Sequence, residues 1–338
     1  MPTPSATPPR CAAPRRLIAV VVLVPVLAAL ALWAFAWPAA RTAPRDLPLG
    51  VAGPAAATAQ VEKEFGRHEG AFEIHRYADA SAARDAIEDR TVYGAVVVTP
   101  QGPEVLTASA ASPAVAQLLQ QAVTQQAAAE GTQVKAVDVV PTPDNDPRGA
   151  ALGASVLPLA LAGMAAGAAV TLLGLRGIRA VSALTGAAVL IGVVAATLAH
   201  SWLGILTGAW WAEAGVFALT TLAVSAAVAG LAALIGYAGI GIVSFTVMFL
   251  GNPFSGAASA PQMLPEPVGV IGQWLPPGAG TTLLRSVSFF DGAAAIGPAM
   301  TLTWWAALGL GAVLLGNALR SRTASTEPAA ERELAPVG

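Results

Sequence analysis

The chain has 338 residues, is 55% hydrophobic and only 11% charged, and has a mean hydropathy of +0.63, whereas an ordinary soluble domain carries about 25% charge. A single water-soluble globule is excluded. The formal net charge is -2 and the only lysines are Lys63 and Lys135, so no basic patch exists to neutralise a run of phosphates, and nucleic acid is not an expected partner. The lone cysteine, Cys11, can form no intramolecular disulfide and has no metal-ligand company.

Residues 1–16 read as a disordered cytoplasmic tail. Leu17 to Trp37 (17–37) then supplies the roughly 20 apolar helical residues that a bilayer core about 30 Å thick requires. It follows Arg10, Arg15 and Arg16 and ends on Trp33 and Trp37, whose rings suit a water interface. A cleaved signal peptide is the rival reading, through Ala34-Phe35-Ala36. The apolar run exceeds the roughly 7 to 15 residues of such a segment, which favours an uncleaved anchor.

Residues 41–148 hold 23 of the 38 charges, 14 acidic and nine basic. This is the composition of a folded, water-exposed block. Leu47 to Val51 reads as a strand, Pro54 to Phe65 as a helix, Phe72 to Tyr77 as a strand, and Ser81 to Asp89 as a helix capped by Ser81. Val92 to Val98 is a buried β-rich run, Glu104 to Ala108 a short strand, Pro113 to Ala129 a helix with proline at its start, and Val134 to Val140 a last strand. The alternation implies an α/β layer. Pro141 to Pro147 is a stiff polar linker back to the membrane.

The block shows no catalytic motif. His68 and His75, with Glu69 and Glu73 nearby, lack the spacing of a metal site and read as surface residues. Glu62, Glu64 and Glu69 read as a solvated face. Ser81 and Ser109 lack a glycine-framed elbow. No catalytic, cofactor or metal site is expected, and the chain does not read as an enzyme.

From Ala150 to Leu319 only Arg176, Arg179, Glu213, Glu266, Arg285 and Asp291 are charged, so 150–319 reads as a five-span membrane domain. With the anchor as the first span, the others are Ala151 to Leu175, Ala180 to Ala199, Ala214 to Ile235, a short Gly236 to Leu250, and Ile296 to Leu319. Residues 320–338 read as a second disordered tail. Arg10, Arg15, Arg16, Arg176, Arg179, Arg320 and Arg322 then fall on one side, which the positive-inside rule makes the cytoplasm. Both termini are expected to be cytoplasmic in a multi-pass protein of the cell membrane.

Mid-membrane titratable groups of the kind that ion-coupled transport needs are missing. Glu213 and His200 read as interfacial anchors beside Trp202, Trp210 and Trp211. A GxxxxGK[ST] loop is also missing, so any use of ATP requires another polypeptide. Gly163 with Gly167, Ser182 with Gly186, and Gly236, Gly239 and Gly241 have the small-residue spacing that lets helices approach closely in lipid. Residues 252–291 are too apolar for a free loop, yet prolines and glycines break them repeatedly. The expectation is short broken helices dipping in from outside, of the type that lines a substrate path.

Within that stretch Gly251-Asn252-Pro253-Phe254-Ser255-Gly256, Pro261-Gln262-Met263-Leu264-Pro265, Leu275-Pro276-Pro277-Gly278 and Leu284-Arg285 resemble the closing region of ABC-2-type membrane proteins, the YhgE/Pip-like group among them. The layout of one anchor, an outer domain and five spans is similar too. Asp85-Ala86-Ile87 followed by Val92-Tyr93-Gly94-Ala95-Val96-Val97-Val98 resembles the outer-domain pattern. The fold class expected is therefore an α-helical multi-pass membrane protein with six transmembrane helices and an extracytoplasmic α/β domain inserted after the first.

The resemblance implies a permease exporting a hydrophobic or amphipathic substrate across the lipid bilayer, driven by a separate ATPase subunit, in a homo- or hetero-dimer. The alternative is a non-transporting envelope scaffold or partner-binding membrane protein. The link Arg176-Gly177-Ile178-Arg179 is short for a helix that docks on an ATPase, and the tail before Leu17 is proline-rich. The residues expected along a substrate path are Asn252, Pro253, Ser255, Gly256, Pro276, Pro277, Arg285 and Asp291, with Arg285 and Asp291 placed to pair or to meet a polar headgroup.

Overall fold

The computed structural model describes residues 12–131 and 133–326. The expected tails lie outside these residues except at their inner edges, where 12–16 and 320–326 are helical instead of irregular. The first helix, α1, runs Ala12–Ala40. It makes little contact with the rest of the chain until Trp33 and Trp37, which stack with ring centroids 5.4 Å apart. Trp37 packs against the cluster of Phe254, Leu264 and Val268.

A five-stranded sheet follows, built from β1 (Leu47–Ala52), β2 (Phe72–Tyr77), β3 (Gly94–Thr99), β4 (Gly102–Thr107) and β5 (Lys135–Asp138), in the order β2-β1-β3-β4-β5. All pairings are parallel except the β3–β4 hairpin. Helices α2 (Ala55–Gly66), α3 (Ala80–Glu88) and α4 (Pro113–Glu130) connect the strands. Ser112 caps α4 by accepting from the Val115 amide, and Pro113 fills its first turn, where a missing N–H costs nothing. The cap of α3 is Asp79, accepting from Ala82 N, and not Ser81. The helix starts one residue earlier than its apolar pattern indicates, which leaves Ser81 inside the first turn.

The sheet core is not closed by its own residues. On one face Ala83, Ile87, Val92 and Ala95 pack with Phe290, and on the other Leu47, Leu49, Val96 and Leu119 pack with Ala260 and Met263. Both sets of completing residues come from the broken stretch near the end of the chain.

The remaining helices are α5 (Ala150–Leu172), α6 (Gly177–Ala196) with a π-helical turn to Trp202, α7 (Trp210–Ile235), α8 (Tyr237–Phe245) with a π-helical turn to Gly251, α9 (Val268–Gln273), α10 (Pro276–Phe289) and α11 (Ile296–Thr326). Five helices are long and apolar enough to cross a membrane: Val20–Ala40, Ala150–Leu172, Gly177–Trp202, Trp210–Ile235 and Ile296–Arg322. Tyr237–Gly251 is not among them, because Gly236 breaks the chain at φ +74° and leaves a segment too short to span by itself.

Helix α7 is the centre of the bundle. Glycines of its neighbours meet it so closely that an added Cβ would lie 2.5 Å from Ser225 O at Gly167 (α5), 2.5 Å from Ala214 O at Gly192 (α6) and 2.4 Å from Ala226 C at Gly309 (α11). Gly163 faces Val224 in the same way, whereas Gly186 and Gly241 meet open space. Backbones in lipid gain by approaching this closely, since no hydrophobic effect drives them together.

Two positions of α11 test this packing. Gly309→Leu drives a side chain into the α7 backbone and is expected to cost about 3 kcal/mol, the upper range of overpacking. Gly311→Leu enters open space and is expected to leave the melting temperature of the purified protein unchanged.

Candidate functional site

Helix α10 enters the bundle beside α7. A Cβ on Gly280 would lie 2.7 Å from the Thr220 side chain, and Pro277 shares a crevice with Val224, about 21 Å along α7 from Trp210 at 1.5 Å per residue. Pro276 and Pro277 start α10, where their missing N–H groups leave nothing unpaired. The turn before it is drawn tight: a Cβ on Gly272 would fall 1.7 Å from Phe254 O, and one on Gly269 2.1 Å from Pro261 O.

Between this hairpin and the sheet lies a cavity of about 520 Å3. From the sheet side come Arg45, Asp46, Arg90 and Tyr93; from the broken stretch come Gln262, Glu266, Gln273, Trp274 and Arg285. Arg90 follows α3 at φ +60°, which turns its side chain away from the helix. Its guanidinium donates to Thr282 O (3.0 Å) and Ser286 Oγ (2.5 Å) on α10 and lies 5.1 Å over the Phe290 ring. The Tyr93 hydroxyl donates to Gln262 Oε1 at 2.9 Å. Arg285 is 4% exposed, and Nη2 donates to Ala257 O at 2.6 Å.

Burial pushes the Arg90 guanidinium below the usual arginine range, with Tyr93 acting the other way. Burial likewise pushes the Tyr93 phenol up, against the pull of the Arg90 and Arg285 charges. No ion pair to either arginine occurs among the described residues. Asp46 and Glu266 are exposed.

A family model described as an ABC-2 family transporter protein matches residues 15–316. The chain belongs to the ABC-2 transporter family. No curated protein and no solved structure gives a match. The matched range takes in α1, the sheet, the cavity and the bundle, so both walls of the site are parts of the permease.

Of the residues expected along a path, only Arg285 lines this cavity. Asn252 and Pro253 are half-buried, and the Asn252 carbonyl accepts from Ser255 Oγ at 2.7 Å. Ser255 is buried and its carbonyl accepts from Gln273 Nε2 at 3.0 Å. Gly256, at φ +68°, turns the chain against Pro261. Pro276 and Pro277 are buried at the base of α10. Asp291 is exposed at φ +48° and does not pair with Arg285; the α10 terminus carries it out beyond Phe290 while Arg285 faces inward. Gln262 stood only within the Pro261 to Pro265 motif, and Arg90, Gln273 and Trp274 carried no sequence signal, since what unites the four is the docking of the sheet on the hairpin.

Glu213 corrects a second expectation. It is not an interfacial anchor but is fully buried in the first turn of α7, accepting from Gly208 N at 2.9 Å, with His200 Nδ1 2.8 Å away. The π-helical turn after α6 brings His200 round to it. His75 lies beside Glu73, and no group of three or more metal-ligating side chains occurs among the described residues.

Gly272→Ala is expected to prise α9 from Phe254, lowering the melting temperature of the permease by several degrees, the consequence of about 1–3 kcal/mol of overpacking. Gly297→Ala, in open space at the start of α11, is the control expected to have no effect in the same thermal-shift measurement.

Proposed function

We propose that the permease moves a hydrophobic or amphipathic molecule outward across the cell membrane as a dimer, driven by a separate ATPase subunit. The observation that carries this reading is the family match across nearly the whole chain, joined to a cavity built between the sheet and a broken hairpin that enters the bundle. Broken helices with freed backbone groups are tolerated at membrane depth only against protein or a wet cavity, and the hairpin packs on α7 and borders the cavity, which supports this reading. Arg285 and the hairpin around it would line the outer part of the path.

The proposed topology has six passes, the short Tyr237–Gly251 serving as the fifth. Gly239 packs back on Leu231 and Ala232, so α8 returns along α7. Arg176 and Arg320 line one recess, and Arg320 Nη2 donates to Ala233 O. This gathers the arginines of the α5–α6 link and of the α11 terminus at one end of the bundle, in keeping with a cytoplasmic face there. The sheet then lies outside and both termini inside.

With Cys11→Ser as a background, a membrane-impermeant maleimide is expected to label Gln101→Cys, in an exposed turn of the sheet, on intact cells, and Ser321→Cys only after permeabilisation. The reverse pattern sinks the topology. For the function, the test is copurification of a nucleotide-binding subunit with the full chain and ATP-dependent transport by the pair. Rescue of a deletion strain by the sheet domain on a substitute anchor would instead favour a partner-binding scaffold.

A further inference from the structure

We propose that the permease binds an anionic amphiphile at this site, with a phosphate-type headgroup between Arg90 and Arg285 and its chain in an apolar groove on the other side of Trp274. The inference rests on the reading of the site as part of an export path, and names the class of molecule that the path accepts.

The headgroup end is argued from unmet charge. Each guanidinium has five N–H donors and no acceptor. Among the described residues Arg285 makes one hydrogen bond, to a backbone carbonyl, and Arg90 bonds one carbonyl and one hydroxyl. Neither meets a carboxylate among the described residues, and Asp46 and Glu266, the acidic groups of the lining, stay exposed. A buried charge such as Arg285 without a counter-charge is costly, and with the half-buried Arg90 it faces one cavity of ligand size. The planar fork of arginine matches the oxygens of phosphate in particular.

The chain end is argued from Trp274. This residue walls the cavity and also a groove of about 480 Å3 lined by Leu231, Leu234, Val243, Trp304 and Leu308. The Trp305 indole fixes its position by donating Nε1–H to Trp274 O at 2.8 Å. The groove follows α11 from Thr301 to Ala312, about 16 Å at 1.5 Å per residue, and carries no charged side chain. A polar cavity lined by three arginines, Arg45, Arg90 and Arg285, against two exposed carboxylates, and an apolar channel sharing one wall with it, fit a molecule with an anionic head and a hydrocarbon tail.

The test uses the full chain purified in neutral detergent, titrated with dodecyl phosphate, dodecyltrimethylammonium or inorganic phosphate and followed by thermal shift. Dodecyl phosphate is expected to stabilise the protein saturably and dodecyltrimethylammonium not to. Arg90→Gln and Arg285→Met are each expected to weaken dodecyl phosphate at least tenfold, and Trp304→Ala to weaken it several-fold. Equal stabilisation by the two amphiphiles, or unchanged affinity in both arginine variants, overturns the proposal. Inorganic phosphate binding as tightly as dodecyl phosphate overturns it in favour of a free-anion site.

Without ligand, Arg285→Met is expected to melt at or above the unsubstituted chain, because it removes an uncompensated charge. A lower melting temperature, or failure to fold, makes Arg285 a structural post for Ala257 and also overturns the proposal. Binding needs neither ATP nor a partner. Intact binding without ATP-driven transport therefore sinks the export reading alone, and lost binding with an intact ATPase complex sinks this inference alone.

Discussion

The contact of glycines with the backbone of α7 is the constraint on which the rest of the structure depends. Water drives soluble helices together, whereas lipid does not, and association must come from close packing and weak backbone contacts. Gly167, Gly192 and Gly309 bring three different helices against α7 at Ser225, Ala214 and Ala226. With those sides occupied, the remaining one accepts α10 through Gly280 at Thr220. Had α7 carried large residues at these positions, its neighbours would stand off by a side-chain width and α10 would have no bed at that depth.

Docking of the sheet follows from where α10 ends. Its last turn delivers Phe290 to one face of the sheet, while the turn before α9 delivers Ala260 and Met263 to the other. Backbone bonds from Ala43 N to Met263 O and from Arg45 N to Gln262 O add a second tie. The sheet is thus gripped from both faces by residues some 200 positions away in sequence, and a core too small to be robust alone is completed from outside. Displacement of α10 along α7 would be felt at once by Arg90, which is bonded to its Thr282 and Ser286.

Local order was legible in the sequence wherever a period or a turn residue set it. The strands and helices of 41–148 announce themselves by alternation and by Pro113 at a helix start, and α5, α6, α7 and α11 by apolar length. The break at Gly236 was visible too, although length alone could not decide what the short segment after it does. Helix rotation was less legible. Gly163 and Gly167 face α7, yet in α6 it is Gly192 and not the equally well-spaced Gly186 that does so, because spacing fixes a stripe without fixing its direction. The site itself was out of reach: Arg285 stood out as a charge in an apolar stretch, whereas Arg90 looked like any polar residue after a helix until the fold laid it against α10.

Two kinds of buried ionisable group separate what holds the permease together from what remains open for a ligand. Glu213 is completely enclosed, and its two carboxylate oxygens are met one each, by the Gly208 amide and by His200. The protein itself meets both oxygens, so Glu213 can serve as a fixed point joining α7 to the turn after α6. Arg285 is almost as deeply buried, yet among the described residues most of its donors find no acceptor, and the half-buried Arg90 repels it. Evolutionary economy aside, physical chemistry allows such a pair to persist only where the folded chain can carry the desolvation cost or where an outside group offsets it. The tight packing of Gly251, Gly272 and Gly278 around the hairpin supplies the rigidity to hold both guanidiniums in place, and preorganised donors of that sort are what make an anion site selective instead of merely basic.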